Sequence, residues 1–176
     1  TGEIRDRDAE LMAEYKNGKG ETGVLLGVNA RPLIKGQGRG DGLAFTLIPA
    51  EPVIAFRKFH FNEDHNWIYL HKNMRVYANV DMWDDEGMGF RVHSVQGDTV
   101  SLQNIDVEIR RIRLDEITSV LPYFPEITGL FSAEAHYIQT EKDLQLSAEA
   151  SIDELTYERQ RIGDVTLGAT WLPGEQ

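Results

Sequence analysis

The residues of this sequence whose types could do chemistry are its histidines, one glycine-rich loop and several clusters of acids. His60 and His65 stand five apart around Asn62-Glu63-Asp64, where a metal site is conceivable. No helix is expected there to set them on one face and no third ligand follows, so a turn with surface histidines is the better account. Asp84, Asp85 and Glu86 could hold calcium loosely, but they lack the loop spacing of a dedicated site and read as a charged hairpin tip. Gly36-Gln37-Gly38-Arg39-Gly40-Asp41-Gly42 has the glycine content of a phosphate cradle. A dinucleotide fingerprint needs a helix directly after it, whereas Leu43-Ala44-Phe45-Thr46-Leu47 reads as a strand. Arg39-Gly40-Asp41 spells an adhesion tripeptide, but three common loop residues match too easily by chance to be used. Serine, histidine and aspartate are all present, yet no serine stands in a nucleophile motif such as G-x-S-x-G. None of these residues reads as catalytic, and no cofactor or metal is expected.

The elements that would have to position a site are strands. Phe131, Ala133, Ala135 and Tyr137 alternate with Ser132, Glu134 and His136. After Thr140-Glu141-Lys142-Asp143, Leu144, Leu146, Ala148, Ala150 and Ile152 alternate with polar partners. Val165, Leu167, Ala169 and Trp171 do so again. Successive side chains of a strand point to opposite faces, so this ribbon has one apolar and one polar face. A second hairpin pairs Ala9, Leu11, Ala13 and Tyr15 with Val24, Leu26, Val28 and Ala30 across a turn at Lys16–Gly23. A third pairs Val76, Ala78, Val80 and Met82 with Phe90 and Val92 across Asp84–Gly87. Leu43–Ile48, Val53–Phe61, Trp67–His71 and Val100–Ile112 are further strand candidates, with Val53–Phe61 apolar on both parities and expected to be buried on both sides. Helical spacing occurs once, at Ile117, Val120 and Leu121 after a cap at Asp115, and Pro122 and Pro125 end it. The expected fold is all-β: a single segment over residues 1–176, a curved groove or taco-like sheet with one short helix near 115–121.

Composition narrows the partners. The 176 residues carry a formal net charge of -11, with 41% hydrophobic and 27% charged residues and no cysteine. That charge argues against nucleic acid, whose phosphates require Lys and Arg. Arg110, Arg111 and Arg113 form a basic stripe, but Asp106, Glu108, Asp115 and Glu116 bracket it, as on a solvated strand face. Without cysteine there is no disulfide, thiol chemistry or cysteine-held zinc. No apolar run reaches the roughly 18 residues of a spanning helix, and no signal peptide is visible. The sequence begins at Thr1 rather than at a methionine and its last strand stops before Pro173, so an excerpt of a longer protein is expected.

The stretch Ile105–Gln176 resembles the TamB family of bacterial envelope proteins, part of the AsmA-like group. The resemblance is carried by Leu114-Asp115-Glu116-Ile117, Leu121-Pro122 and Ile127-Thr128-Gly129-Leu130-Phe131-Ser132-Ala133. It continues through Leu144–Leu155, Leu155-Thr156-Tyr157-Glu158 and Ile162-Gly163-Asp164-Val165-Thr166-Leu167. The resemblance implies a periplasmic segment of a protein anchored in the inner membrane, with strands stacked around a hydrophobic groove. It implies transport of phospholipids between the inner and outer membranes, outer-membrane protein assembly, or both, with an Omp85-type partner such as TamA.

An apolar sheet face ordinarily packs into its own core. The small residues Ala133, Ala135, Ala148, Ala150, Gly168 and Ala169 favour a shallow surface instead. The expected binding face, for phospholipid acyl chains or unfolded outer-membrane strands, is therefore Phe131, Ala133, Ala135, Tyr137, Leu144, Leu146, Ala148, Ala150, Ile152, Val165, Leu167, Ala169 and Trp171. Two rival readings are a chaperone-like module that pairs its edges with client strands, and a carbohydrate-binding β-sandwich with Trp67, Trp83 and Trp171 as a stacking platform.

Overall fold

A computed structural model describes residues 2–5, 8–33, 42–48, 51–62, 65–72, 74–95, 98, 100–118 and 125–172. They form an all-β protein with one short helix, and every strand pairing described is antiparallel. The chain divides into two compact units, Thr1–Asp84 with Val92–Ser94, and Asp85–Arg91 with Val95–Gln176.

The first unit contains β1 (Gly2–Arg5), β2 (Asp8–Lys16), β3 (Thr22–Pro32), β4 (Gly42–Leu47), β5 (Val53–Ile54), β6 (Arg57–Lys58), β7 (His60–Phe61), β8 (Trp67–His71) and β9 (Val76–Trp83). Its strand order is β1-β2-β3-β4-β8-β9, an open sheet. The β2–β3 hairpin has the expected register, Ala9↔Ala30, Leu11↔Val28, Ala13↔Leu26 and Tyr15↔Val24. Asn17 closes its turn, its side-chain oxygen accepting from the N–H groups of Lys19 and Glu21.

The stretch Val53–Phe61 departs from expectation. It is not one strand but three pairs of strand residues, broken where Ala55 and Phe56 take φ of 51° and 65°. These two left-handed residues form a tight turn that folds Arg57 back against Ile54. The stretch is not buried on both sides as expected: Val53, Phe59 and Phe61, all of one parity, are buried, while Ile54 is partly exposed and Phe56 is half exposed and lies over Gly23. With Ala44, Ala78, Val80 and Met82 they make the core of this unit. The glycine loop lies outside the described residues apart from Gly42, which opens β4.

Strand β10 (Gly89–Ser94) follows the Asp84–Gly87 turn in the chain, and its residues are divided between the two units. The second unit is built on β11 (Gln103–Arg113), α1 (Leu114–Thr118), β12 (Ile127–Gln139), β13 (Leu144–Tyr157) and β14 (Gln160–Trp171), with the strands in sequential order. β11 starts later than Val100 because Asp98 accepts from the N–H groups of Val100 and Ser101 and holds them in a turn. The helix begins at Leu114, so Asp115 lies within its first turn and is not the cap expected, while Val120, Leu121 and Pro122 lie outside the described residues.

Register slips occur toward one end of this sheet: β11 carries an extra residue between Ile109 and Ile112, and β13 carries one after Ile152, opposite Gly129 of β12. Positive φ values at Arg111, Gly129 and Glu154 mark the bulges. The Arg111 N–H donates to Ser132 Oγ there instead of to a ladder carbonyl.

Candidate functional site

Register assembles the apolar residues of the second unit into cross-strand rows. Directly paired residues of an antiparallel sheet share a face, with Cβ atoms about 5 Å apart. The rows run Ile105–Tyr137–Leu146–Trp171, Val107–Ala135–Ala148–Ala169, Ile109–Ala133–Ala150–Leu167 and Ile112–Phe131–Ile152–Val165. Leu144 pairs with Gln139 beyond the first row. The face predicted from parity is thus one physical face, although its residues are odd-numbered on β12 and β14 and even-numbered on β13. It also contains four residues that sequence reasoning left out: Ile105, Val107, Ile109 and Ile112. Their alternation is visible in the sequence, but the bulge at Arg110-Arg111 changes its parity.

These side chains do not make a closed core. Between Val95 and Leu172 no described residue is buried. Exposure increases toward β14: Leu146 on β13 is 38% exposed, and on β14 Trp171 is 64% and Leu167 70% exposed. Ala133, Ala135, Ala148 and Ala150 keep the middle of the face low.

The opposite face is polar, and its charges fall into rows as well. Asp106, His136, Ser147 and Thr170 are aligned across four strands, next to Glu108, Glu134, Glu149 and Gly168. A shallow concavity of about 470 Å³ overlies these rows. Of the expected binding residues, Ala135, Ala148 and Ala169 border it. His136 Nδ1 is hydrogen-bonded to Asp106 Oδ1, and Arg91 Nε lies 3.4 Å from Glu108 Oε2. Directly opposed carboxylates such as Glu134 and Glu149 repel. Exposure to water on this face screens that repulsion.

In the first unit a smaller cavity of about 180 Å³ lies among Val28, Phe45, Leu47, Ile68 and Val80, with Thr46 and Asn66 at its border. It belongs to an equivalent row system, Ala9–Ala30–Phe45–Ile68–Ala78. Asn66 Oδ1 accepts from the Leu47 N–H at 2.6 Å, satisfying the end of β4.

The other candidates from sequence fare differently. Among the described residues no group of three or more His, Asp, Glu or Cys could hold a metal ion. His60 lies against Trp83 at 6.3 Å between ring centroids, and His65 is exposed on its turn. Asp84 is not part of a solvated tip: it is buried and paired with Arg57. In the basic stripe, Arg113 pairs with Asp115 and Glu116, as a solvated face would. Trp67 stacks on Tyr69 at 4.5 Å, and no two tryptophans form a ring pair among the described residues. No described helix is long and apolar enough to cross a membrane. No protein-family model matches the chain, and no curated protein or solved structure matches it either, so its likeness to the TamB family stands on the quoted motifs alone.

Proposed function

We propose that this chain is a non-catalytic segment that binds phospholipid acyl chains along the apolar face of β11–β14. In this reading it is a periplasmic part of a TamB-like envelope protein and serves lipid passage between the two membranes. The observation that carries it is the set of four apolar rows in a unit where no described residue from Val95 to Leu172 is buried. Water against such a face costs free energy, and each methylene transferred onto it recovers up to about 0.8 kcal/mol. Binding of this kind needs neither a nucleophile nor a cofactor.

The test is organic extraction of the purified chain followed by mass spectrometry, with titration of a fluorescent fatty acid in parallel. The expected result is co-purifying phospholipid and saturable binding. A lipid-free protein that does not take up the probe overturns the reading.

A second reading is favoured by the outer edge of β14, which no described strand pairs. The edge would accept unfolded outer-membrane strands through backbone hydrogen bonds. Photocrosslinking from β14, compared with crosslinking from Ala135 and Ala150 on the face, separates the two.

A further inference from the structure

The outer edge of β14 has a composition that protected edges avoid. Edge strands are usually blunted by charge, proline or a bulge. From Val165 to Trp171 the sequence reads Val-Thr-Leu-Gly-Ala-Thr-Trp, seven residues with no charge and no proline. β14 is the terminal strand of its sheet, and among the described residues nothing pairs with its outer side.

The same seven residues are nearly palindromic in polarity about Gly168. Laid antiparallel against a second copy with the two-fold axis at Gly168, Val165 stands opposite Trp171 and Leu167 opposite Ala169. Thr166 stands opposite Thr170, and Gly168 meets its own counterpart. Val165, Leu167, Ala169 and Trp171 all belong to the apolar face, because they pair with Ile152, Ala150, Ala148 and Leu146 on β13. The pairing therefore joins apolar to apolar and hydroxyl to hydroxyl throughout, including an aromatic opposite a β-branched residue and a Thr–Thr pair. Moving the axis to Leu167 sets Gly163 against Trp171, and moving it to Ala169 sets Val165 against Pro173. Placing it between residues sets apolar against polar side chains.

We propose that two copies of this chain associate through antiparallel β14–β14 pairing centred on Gly168. The interface is isologous, as closed dimers require. It extends each apolar row of one copy into the other, the Trp171 row meeting the partner's Val165 row.

The 176 residues contain no cysteine, so a single Gly168→Cys reports on the axis without background. A Cβ at Gly168 meets nothing within 4 Å, so the substitution fits the protomer. Mild oxidation should give a disulfide-linked dimer for Gly168→Cys and not for Thr166→Cys, whose counterpart is Thr170. Sedimentation should show a dimer that is lost in Gly168→Lys, by repulsion at the axis, and recovered when Gly168→Lys and Gly168→Glu are mixed. Circular dichroism of each variant checks that the strands are intact. A monomer at every concentration, or a dimer indifferent to both charges and not crosslinked at Gly168, overturns the proposal. Open-ended oligomers without the Gly168 crosslink overturn it as well.

Discussion

Arg57 Nη1 lies 3.0 Å from Asp84 Oδ2 although 27 positions separate them in the chain, and Asp84 is only 4% exposed. The pair fastens the tight β5–β6 turn to the end of β9. Removing one partner of a buried pair strands the other charge, at a cost of about 3–5 kcal/mol. Asp84→Ala should therefore lower the stability of the first unit by about 3 kcal/mol, measured by urea unfolding. Glu51→Ala, which removes the exposed partner of Lys58, should leave it nearly unchanged.

Gly129 lies opposite the β13 bulge at φ 142°, and a Cβ there would meet Ile152 Cγ2 at 2.8 Å and Asp153 O at 3.1 Å. Strain and overpacking together predict that Gly129→Ala destabilises the protein by about 2–3 kcal/mol. Gly168→Ala, in open space, should change stability by less than about 0.5 kcal/mol. Paired urea titrations of the two variants check the contrast.

Ala150 stands between Ala133 and Leu167 in the third apolar row. Ala150→Asp places a carboxylate in the middle of the face. It should weaken binding of the fluorescent fatty acid about tenfold, equivalent to about 1.4 kcal/mol. Ser151→Asp, on the polar face, should leave binding unchanged and serves as the control in the same titration.

Asp98 accepts from the Asn104 side-chain amide and from the N–H groups of Ser101 and Val100. These donors, Asn104 first, hold its carboxyl well below the usual carboxylate range. A depressed folded value stabilises the native state at pH above the unfolded value, near 4, and that contribution is lost as pH falls through the lower folded value. Carboxyl NMR should show Asp98 titrating below the usual carboxylate range on acidification. Asp98→Ala should remove that pH-dependent contribution and loosen the start of β11.

The strands of the second unit were legible because each is wet on one side and apolar on the other, which writes a period of two into the sequence. The β2–β3 register was legible for the same reason, reinforced by Asn17 and the glycines of its turn. Val53–Phe61 was not, since left-handed Ala55 and Phe56 carry no turn-residue signature and the break depends on Phe56 lying over Gly23. The burial of Asp84 was hidden because its partner Arg57 is distant in sequence. The alignment of Asp106 with His136 and Ser147 depends on pairing register, which no single strand encodes. The extent of the apolar face was underestimated at β11, where one extra residue at Arg110-Arg111 shifts Ile112 to the other parity.

The bulge on β13 falls just past the row of Ile112, Phe131, Ile152 and Val165, and the bulge on β11 falls one row earlier, between Ile109 and Ile112. From Tyr137 to Phe131 is six residues, so the face measures about 20 Å along the strands. A hydrocarbon laid along the four rows in that direction would cover slightly more than the roughly 15 Å depth of one bilayer leaflet. On the proposed lipid-binding reading these bulges bend the face at one end, so deleting Glu154 should change the length of chain that fits.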